Sequence, residues 1–132
     1  MAISDYLKDI QHIGIPTKDI EATTEFYSSL GFKLLEEVCN DEGQAVCRFL
    51  GLYHTVIETY VLPEIKGFPG AIDHIALDVV DIEGLYAEIK QAGIYELEED
   101  WINDLPQLWE KGCRYFKIIG PSAEIVEFCE IL

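Results

Sequence analysis

The order of apolar and polar residues along the chain predicts the same set of elements twice. In the first half, residues 9–17 (DIQHIGIPT) place Ile10, His12 and Gly14 on one face and are rich in β-branched side chains, which is typical of a β-strand. Asp19 can cap a following helix that ends near Gly31. Further strands are predicted over 32–39, 44–52 and 54–62, so the unit is β-α-β-β-β.

The second half repeats this unit, because residues 72–99 align without a gap on residues 10–37 and match at ten of 28 positions. The identical pairs are Ile10/Ile72, His12/His74, Ile13/Ile75, Asp19/Asp81, Ile20/Ile82, Glu21/Glu83, Gly31/Gly93, Leu35/Leu97, Glu36/Glu98 and Glu37/Glu99. Such repetition indicates two copies of one supersecondary unit.

We therefore predict an α+β fold with two βαβββ modules in tandem. They form a single domain over residues 1–132, in which module 8–62 and module 71–132 are joined by the linker 63–70. The second copy departs most at residues 100–112, which we predict to be a loop with a helical turn that carries Trp101 and Trp109.

Composition and charge argue against some classes of binding partner. Nine Lys and Arg residues stand against 25 Asp and Glu residues, and the net charge of −16 argues against nucleic acid and against an anionic membrane surface. No apolar run is long enough to span a membrane. The first ten residues lack the pattern of a signal peptide, and the four cysteines form no CxxC motif, so we expect reduced thiols and a cytoplasmic location.

Two residue types recur at matched positions and suggest a metal site. His12 and His74 are equivalent in the repeat, and so are Glu58 in TVIETYV and Glu127 in EIVEFCE. Imidazole nitrogen and carboxylate oxygen suit divalent first-row ions. A single His or Glu of this kind is more simply a core, rim or solvent-facing residue, but recurrence in both copies favours metal ligation. Four such ligands on an octahedral ion would leave two positions open.

The doubled unit with the order H…E…H…E resembles the vicinal oxygen chelate superfamily, which includes glyoxalase I and its relatives. The motifs that carry the resemblance are IQHIGI, IDHIAL and IIGPSAEIVEFCE. The resemblance implies a concave sheet that holds one divalent ion, usually in a dimer. His12, Glu58, His74 and Glu127 would then be the metal ligands, and Glu58 and Glu127 would also be the catalytic bases. Nickel or cobalt is favoured, with zinc or manganese as alternatives, since structural zinc prefers four-coordination.

The resemblance implies a glyoxalase I-like isomerase or lyase, which moves a proton next to a metal-bound carbonyl of a small 2-oxo or 2-hydroxy compound. Two alternatives are a methylmalonyl-CoA epimerase-like enzyme and a non-catalytic small-molecule binding protein of the same fold. Bacterial glyoxalase I has an arginine and an asparagine as glutathione contacts where this chain has Pro16 and Leu62. We therefore expect poor use of a glutathione adduct. The expected partners are a small carbonyl substrate and a second copy of the chain.

The sequence does not decide the roles of two further pairs of residues. Arg48 and Arg114 are equivalent in the repeat, which would suit either an anion contact or simple structural duplication. Trp101 and Trp109 would suit either the wall of a substrate pocket or the packing of the extra loop.

Overall fold

The chain forms two compact units, Met1–Ile65 and Lys66–Leu132. The computed structural model describes residues 2–6 and 8–132. Within this range no helix has the length and apolar character needed to cross a bilayer. The division into module 8–62, linker 63–70 and module 71–132, within a single domain, stays a prediction.

The first unit is a four-stranded sheet with one α-helix, preceded by a short 3-10 helix at Ile3–Tyr6. Its elements are β1 (Ile13–Thr17), α1 (Ile20–Ser29), β2 (Lys33–Cys39), β3 (Ala45–Leu52) and β4 (Thr55–Val61). The strand order is β1-β4-β3-β2, with β1 parallel to β4 and the other pairs antiparallel.

The second unit repeats this arrangement with one additional strand. Its elements are β5 (His74–Asp78), α2 (Ile82–Ala92), β6 (Glu96–Leu97), β7 (Asn103–Leu105), β8 (Cys113–Ile119) and β9 (Ile125–Ile131). The strand order is β5-β9-β8-β6, and β7 also pairs with β8. The predicted α+β fold of two βαβββ modules is confirmed. In residues 100–112, however, a three-residue strand and turns replace the expected helical turn, because Asn103–Leu105 pairs in register with residues 113–115 of β8.

Aspartate caps begin both α-helices, as the sequence predicts. The side chain of Asp19 accepts a hydrogen bond from the backbone N–H of Ala22 at 3.0 Å, and that of Asp81 accepts one from Gly84 at 3.2 Å. Both helices are followed by a glycine with positive φ, Gly31 at 104° and Gly93 at 69°. Glycine adopts this conformation without the steric cost of a Cβ, so it ends the helix.

Each α-helix packs on one face of the sheet of its own unit, and among the described residues of that unit no second α-helix covers the opposite face. Side chains alternate between the two faces of a strand. In β4, Ile57 and Thr59 are buried beneath α1 and Glu58 points to the opposite face. In β9, Val126 and Phe128 are buried and Glu127 points away in the same manner. Both glutamates therefore lie on the open face of their sheet.

Arg48 lies on the helix side of the sheet and connects α1 to the sheet through hydrogen bonds. Its guanidinium donates to the two carboxylate oxygens of Glu21, at 3.1 and 2.9 Å, and to Glu37 at 2.8 Å. It also donates to the hydroxyl of Thr24 at 2.9 Å. The hydrogen bond from Arg48 lowers the pKa of Glu37.

Arg114 does the same in the second unit. It donates to Glu83, in the first turn of α2, at 2.8 Å and to Asp104 of β7 at 2.9 Å. Both arginines of the repeat are thus paired with carboxylates of their own unit. This arrangement supports structural duplication rather than an anion-binding role for the pair.

Candidate metal centre and its cavity

The first predicted ligand pair comes together on the open face of the first sheet. His12 lies directly before β1, and Gly14 of β1 is the register partner of Glu58 in β4. The Nε2 atom of His12 lies 3.5 Å from Oε1 of Glu58. The two side chains are 32% and 26% exposed, so both are accessible from solvent.

Contacts around the His12 ring fix its orientation. Its Nδ1 lies 3.0 Å from the side-chain oxygen of Gln11, so that nitrogen is the donor. The ring packs edge-on against Phe49, with a centroid distance of 5.4 Å and an interplanar angle of 82°. An imidazole that donates from Nδ1 can offer Nε2 to a metal ion, and Nε2 of His12 is the nitrogen that faces Glu58.

The second pair has the same geometry in the second unit. His74 begins β5, and its Nε2 lies 3.5 Å from Oε1 of Glu127 in β9. Its Nδ1 donates to Asp73 at 2.8 Å, and this hydrogen bond lowers the pKa of Asp73. The Asp73 carboxylate therefore takes the place that the amide of Gln11 takes in the first unit.

These distances fit two ligands of one divalent ion. A nitrogen and an oxygen that bind one ion at about 2.1 Å, at angles of about 90–110°, lie about 3.0–3.4 Å apart. The observed separation of 3.5 Å in each unit is close to this. In the described residues no group of three or more His, Cys, Asp or Glu side chains could hold a metal. The joining of all four ligands on one ion stays a prediction.

Cysteines lie near both glutamates. The Sγ of Cys47 donates to Oε2 of Glu58 at 3.5 Å, a contact that the sequence analysis missed. Burial is the largest cause that raises the pKa of Cys47, followed by this hydrogen bond. In the second unit, burial and then a hydrogen bond with Cys113 raise the pKa of Cys129 to about 11. All of these thiols are free.

The open face of the second sheet forms a cavity of about 530 Å³. The predicted ligands His74 and Glu127 line it together with other polar or charged side chains and an apolar wall. The polar and charged members are Asp78, Cys113, Tyr115, Lys117 and Cys129, and the apolar wall includes Leu105, Leu108, Trp109 and Ile131. Trp109 thus lines a cavity beside the candidate ligands, whereas Trp101 donates its indole N–H to Asn103 at 3.0 Å and is not part of the lining.

Comparison with known proteins identifies the family to which the chain belongs. The sequence profile of the Glyoxalase/Bleomycin resistance protein/Dioxygenase superfamily matches residues 9–101. The chain is 34% identical over 131 residues to the uncharacterized protein YwbC of Bacillus subtilis, with 92% of this chain and 96% of that protein covered.

Solved structures share the fold. The glyoxalase family protein of Enterococcus faecalis superposes with a TM-score of 0.74 and 24% identity, covering 95% of this chain and 99% of that chain. The fosfomycin resistance protein FosX of Listeria monocytogenes, in complex with Mn(II) and sulfate, superposes with a TM-score of 0.71 and 14% identity, covering 96% and 94%. Together with the profile match over more than half of the sequence, this confirms the resemblance to the vicinal oxygen chelate proteins. The chain belongs to the Glyoxalase/Bleomycin resistance protein/Dioxygenase superfamily.

Proposed function

We propose that the protein is a divalent-metal-dependent isomerase or lyase of the glyoxalase I type. It would move a proton at the carbon next to the carbonyl of a small 2-oxo or 2-hydroxy compound. The observation that carries the proposal is the repeated His–Glu pair, with Nε2 and Oε1 3.5 Å apart in each unit and each Nδ1 held by a neighbouring side chain.

His12, Glu58, His74 and Glu127 would hold one divalent ion, with the two pairs drawn from one chain or from two. Nickel or cobalt is favoured for this nitrogen and oxygen ligand set, with zinc or manganese as alternatives. When bound, such an ion would act as a Lewis acid on the substrate's carbonyl group and stabilise the negative charge that develops there.

The protein's own carboxylates would move the proton. Glu58 or Glu127 accepts the proton from the substrate carbon and returns it to the neighbouring carbon, so the product is an isomer and no further reactant is consumed. Both carboxylates lie on an open sheet face, with side chains 26% and 12% exposed, where a small molecule can reach them. The cavity beside Glu127 supports binding of a small molecule on this face.

A glutathione adduct is not the expected substrate. Pro16 lies within β1, and its ring has no charged or hydrogen-bonding group. Leu62 follows β4, and its backbone N–H donates to the carbonyl of Thr17 at 3.0 Å. Neither side chain can donate a hydrogen bond to a glutathione carboxylate. We therefore propose that the adduct formed from methylglyoxal and glutathione is used poorly.

Deuterium exchange at the α-carbon tests this proposal. The purified protein is analysed for bound metal, loaded with nickel or cobalt, and assayed with a panel of 2-oxo and 2-hydroxy compounds in D₂O. Glu58→Gln and Glu127→Gln should each lower exchange by about 10²-fold or more, the usual scale for a positioned acid–base group. Glu130→Gln is the matched control, because Glu130 lies on the same strand as Glu127 and faces the helix.

Two outcomes would contradict the proposal. Exchange that is unaffected by both Glu58→Gln and Glu127→Gln would remove the proposed bases. Protein that binds no divalent ion, and shows no exchange with any compound, would instead favour the non-catalytic binding protein of the same fold. Rapid turnover of the methylglyoxal–glutathione adduct would overturn only the expected specificity.

A further inference from the structure

The two units share the His–Glu pair but differ at a position of the open face beside that pair. Lys117 of β8 is equivalent in the repeat to Gly51 of β3, at the same offset that relates Arg48 to Arg114. In the first unit the space beside Gly51 is filled by Leu35, which lies 2.6 Å from the place where a Cβ would stand. The first unit is therefore apolar at this position, and the second unit carries a cation.

Lys117 lies directly beside the candidate ligands. It is the register partner of Glu127 in the β8–β9 pair and lines the same cavity as His74. Among the described residues that line this cavity, Lys117 is the only lysine or arginine.

The ammonium group of Lys117 has capacity for another anion. Its side chain is only 20% exposed, and Nζ lies 5.6 Å from the centre of the Tyr115 ring. Nζ also lies 3.7 Å from Oε2 of Glu98, which is longer than a hydrogen bond. A lysine has three donors, so a carboxylate in the cavity can approach more closely than Glu98 does. In a chain of net charge −16, an anionic ligand needs such a local cation.

The other side of the cavity is apolar. Leu105, Leu108 and Trp109 line it, and the last two are 46% and 66% exposed. Large apolar side chains left in water around a cavity gain free energy when an apolar group covers them. The cavity therefore offers a cation next to the ligand pair and an apolar wall within one volume.

We infer that the substrate is a 2-hydroxy or 2-oxo acid with an apolar substituent. Its carboxylate pairs with Lys117, its neighbouring oxygen faces His74 and Glu127, and its substituent packs against Leu108 and Trp109. This inference deepens the proposed function and rests on it for the role of the oxygen. Lys117 is thus a specificity-determining residue, since it selects acids over neutral carbonyl compounds of the same size.

Three small molecules separate the contribution of the carboxylate from that of the apolar substituent. Mandelate has the carboxylate and a phenyl group, mandelamide is its neutral analogue, and lactate lacks the phenyl group. Each is titrated by NMR into the whole protein, both loaded with cobalt and free of metal. We expect mandelate to bind about tenfold more tightly than mandelamide and than lactate, which corresponds to one favourable contact of each kind.

The variants assign each preference to its residue. Lys117→Met should bring the ratio of mandelate to mandelamide affinity to about twofold or less, and Lys117→Arg should keep the preference. Trp109→Ala should reduce the preference for mandelate over lactate and leave that over mandelamide intact. Lys111→Met removes the same charge from an exposed side chain outside the cavity lining, and should change neither ratio.

Equal binding of mandelate and mandelamide by the wild-type protein would overturn the inference. The inference would also be overturned if Lys117→Met and Lys111→Met changed the ratio of mandelate to mandelamide affinity equally. Such a result would show only a general effect of removing one positive charge. Metal content is measured on the same samples. A preference that depends on Lys117 in protein that takes up no metal would refute the metal-dependent function and leave the carboxylate site standing.

Discussion

At the scale of single residues, the two candidate ligand pairs differ in the side chain that accepts a hydrogen bond from Nδ1 of the histidine. Asp73, a carboxylate, accepts from His74, whereas the neutral amide of Gln11 accepts from His12. A charged partner makes the imidazole a better metal ligand and fixes its tautomer and orientation more firmly than an amide does. The second unit therefore supplies the stronger histidine ligand of the proposed site.

Asp73→Asn tests this difference. The substitution keeps an acceptor oxygen near Nδ1 and removes the charge, so we expect metal affinity to fall about tenfold or more. Cobalt binding in competition with a chelator gives the affinity directly. Gln11→Glu is the reciprocal variant and should strengthen binding. Cobalt affinity that does not respond to either substitution would show that these neighbours do not act on a metal-bound histidine.

Arg48 offers a prediction about stability and pH. Its hydrogen bond lowers the pKa of Glu37, so folding favours the charged carboxylate. Stability from a carboxyl with a lowered pKa is present above its unfolded pKa and is lost as the pH falls through the folded value. Arg48→Met should therefore lower the melting temperature by several degrees at pH 7, and the difference from wild type should shrink below about pH 4.

Thermal unfolding between pH 3 and pH 7 measures this effect. Lys33→Met serves as the control, because it removes one positive charge from an exposed side chain at the start of β2. A difference between Arg48→Met and wild type that is constant with pH would mean that Arg48 stabilises by packing alone.

At the scale of elements, the sequence predicts those features that depend on local chemistry. The strands follow from alternation and β-branched residues, and the helices follow from Asp19, Gly31, Asp81 and Gly93. The repeat then pairs each His with its Glu, because equivalent strands occupy equivalent places. His12–Glu58 and His74–Glu127 could therefore be named as candidates before their distances were known.

Features that depend on cross-strand register could not be predicted. The Cys47–Glu58 contact joins β3 to β4, and β2 meets β3 with shifts in register between Leu34 and Glu36 and near Cys39. Hydrophobic alternation within a single strand does not show such bulges. Likewise, β7 pairs with β8 through only three residues, too few for a periodic signal.

The helix caps give a prediction at this scale because their backbones differ. Asp19 is extended, with φ −137°, but Asp81 is left-handed, with φ 52°. Replacing either by alanine removes the cap and should cost about 1 kcal/mol. At Asp81 alanine must also adopt the left-handed conformation, which adds about 1 kcal/mol, whereas glycine avoids this cost. Urea unfolding of the four variants should show a larger gap between alanine and glycine at Asp81 than at Asp19.

At the scale of the whole molecule, duplication gives the same candidate ligand pair twice and lets the surroundings diverge. At two positions of its open face the first unit has small or apolar residues, with Gly14 opposite Glu58 and Leu35 against Gly51. The second unit adds Lys117, Tyr115 and the apolar wall of its extra segment. We infer that each unit contributes one His–Glu pair to the proposed metal site and that the two units contribute unequally to substrate selection.

The exposed apolar surface argues for assembly into a dimer. Strand β2 is an edge strand, and its Leu34, Leu35 and Val38 are all about half exposed, at 52%, 57% and 51%. Apolar edge strands of this kind are usually covered in the working state of a protein. We therefore predict a homodimer, which sedimentation at micromolar concentration would show as a species of twice the 15.0 kDa chain mass. A single species at the chain mass would contradict this prediction.

A mixing experiment connects the dimer to the proposed metal site. One variant carries His12→Ala and Glu58→Ala, and a second carries His74→Ala and Glu127→Ala. Neither should bind cobalt tightly by itself, because each keeps only two of the four proposed ligands. In a mixed dimer, one complete set of four forms only if each site takes its two pairs from different chains. Recovery of cobalt binding after unfolding and refolding the mixture would therefore assign the site to the dimer. Failure to recover, with mixed dimers present and with cobalt bound tightly by the wild-type protein, would assign both pairs to the same chain.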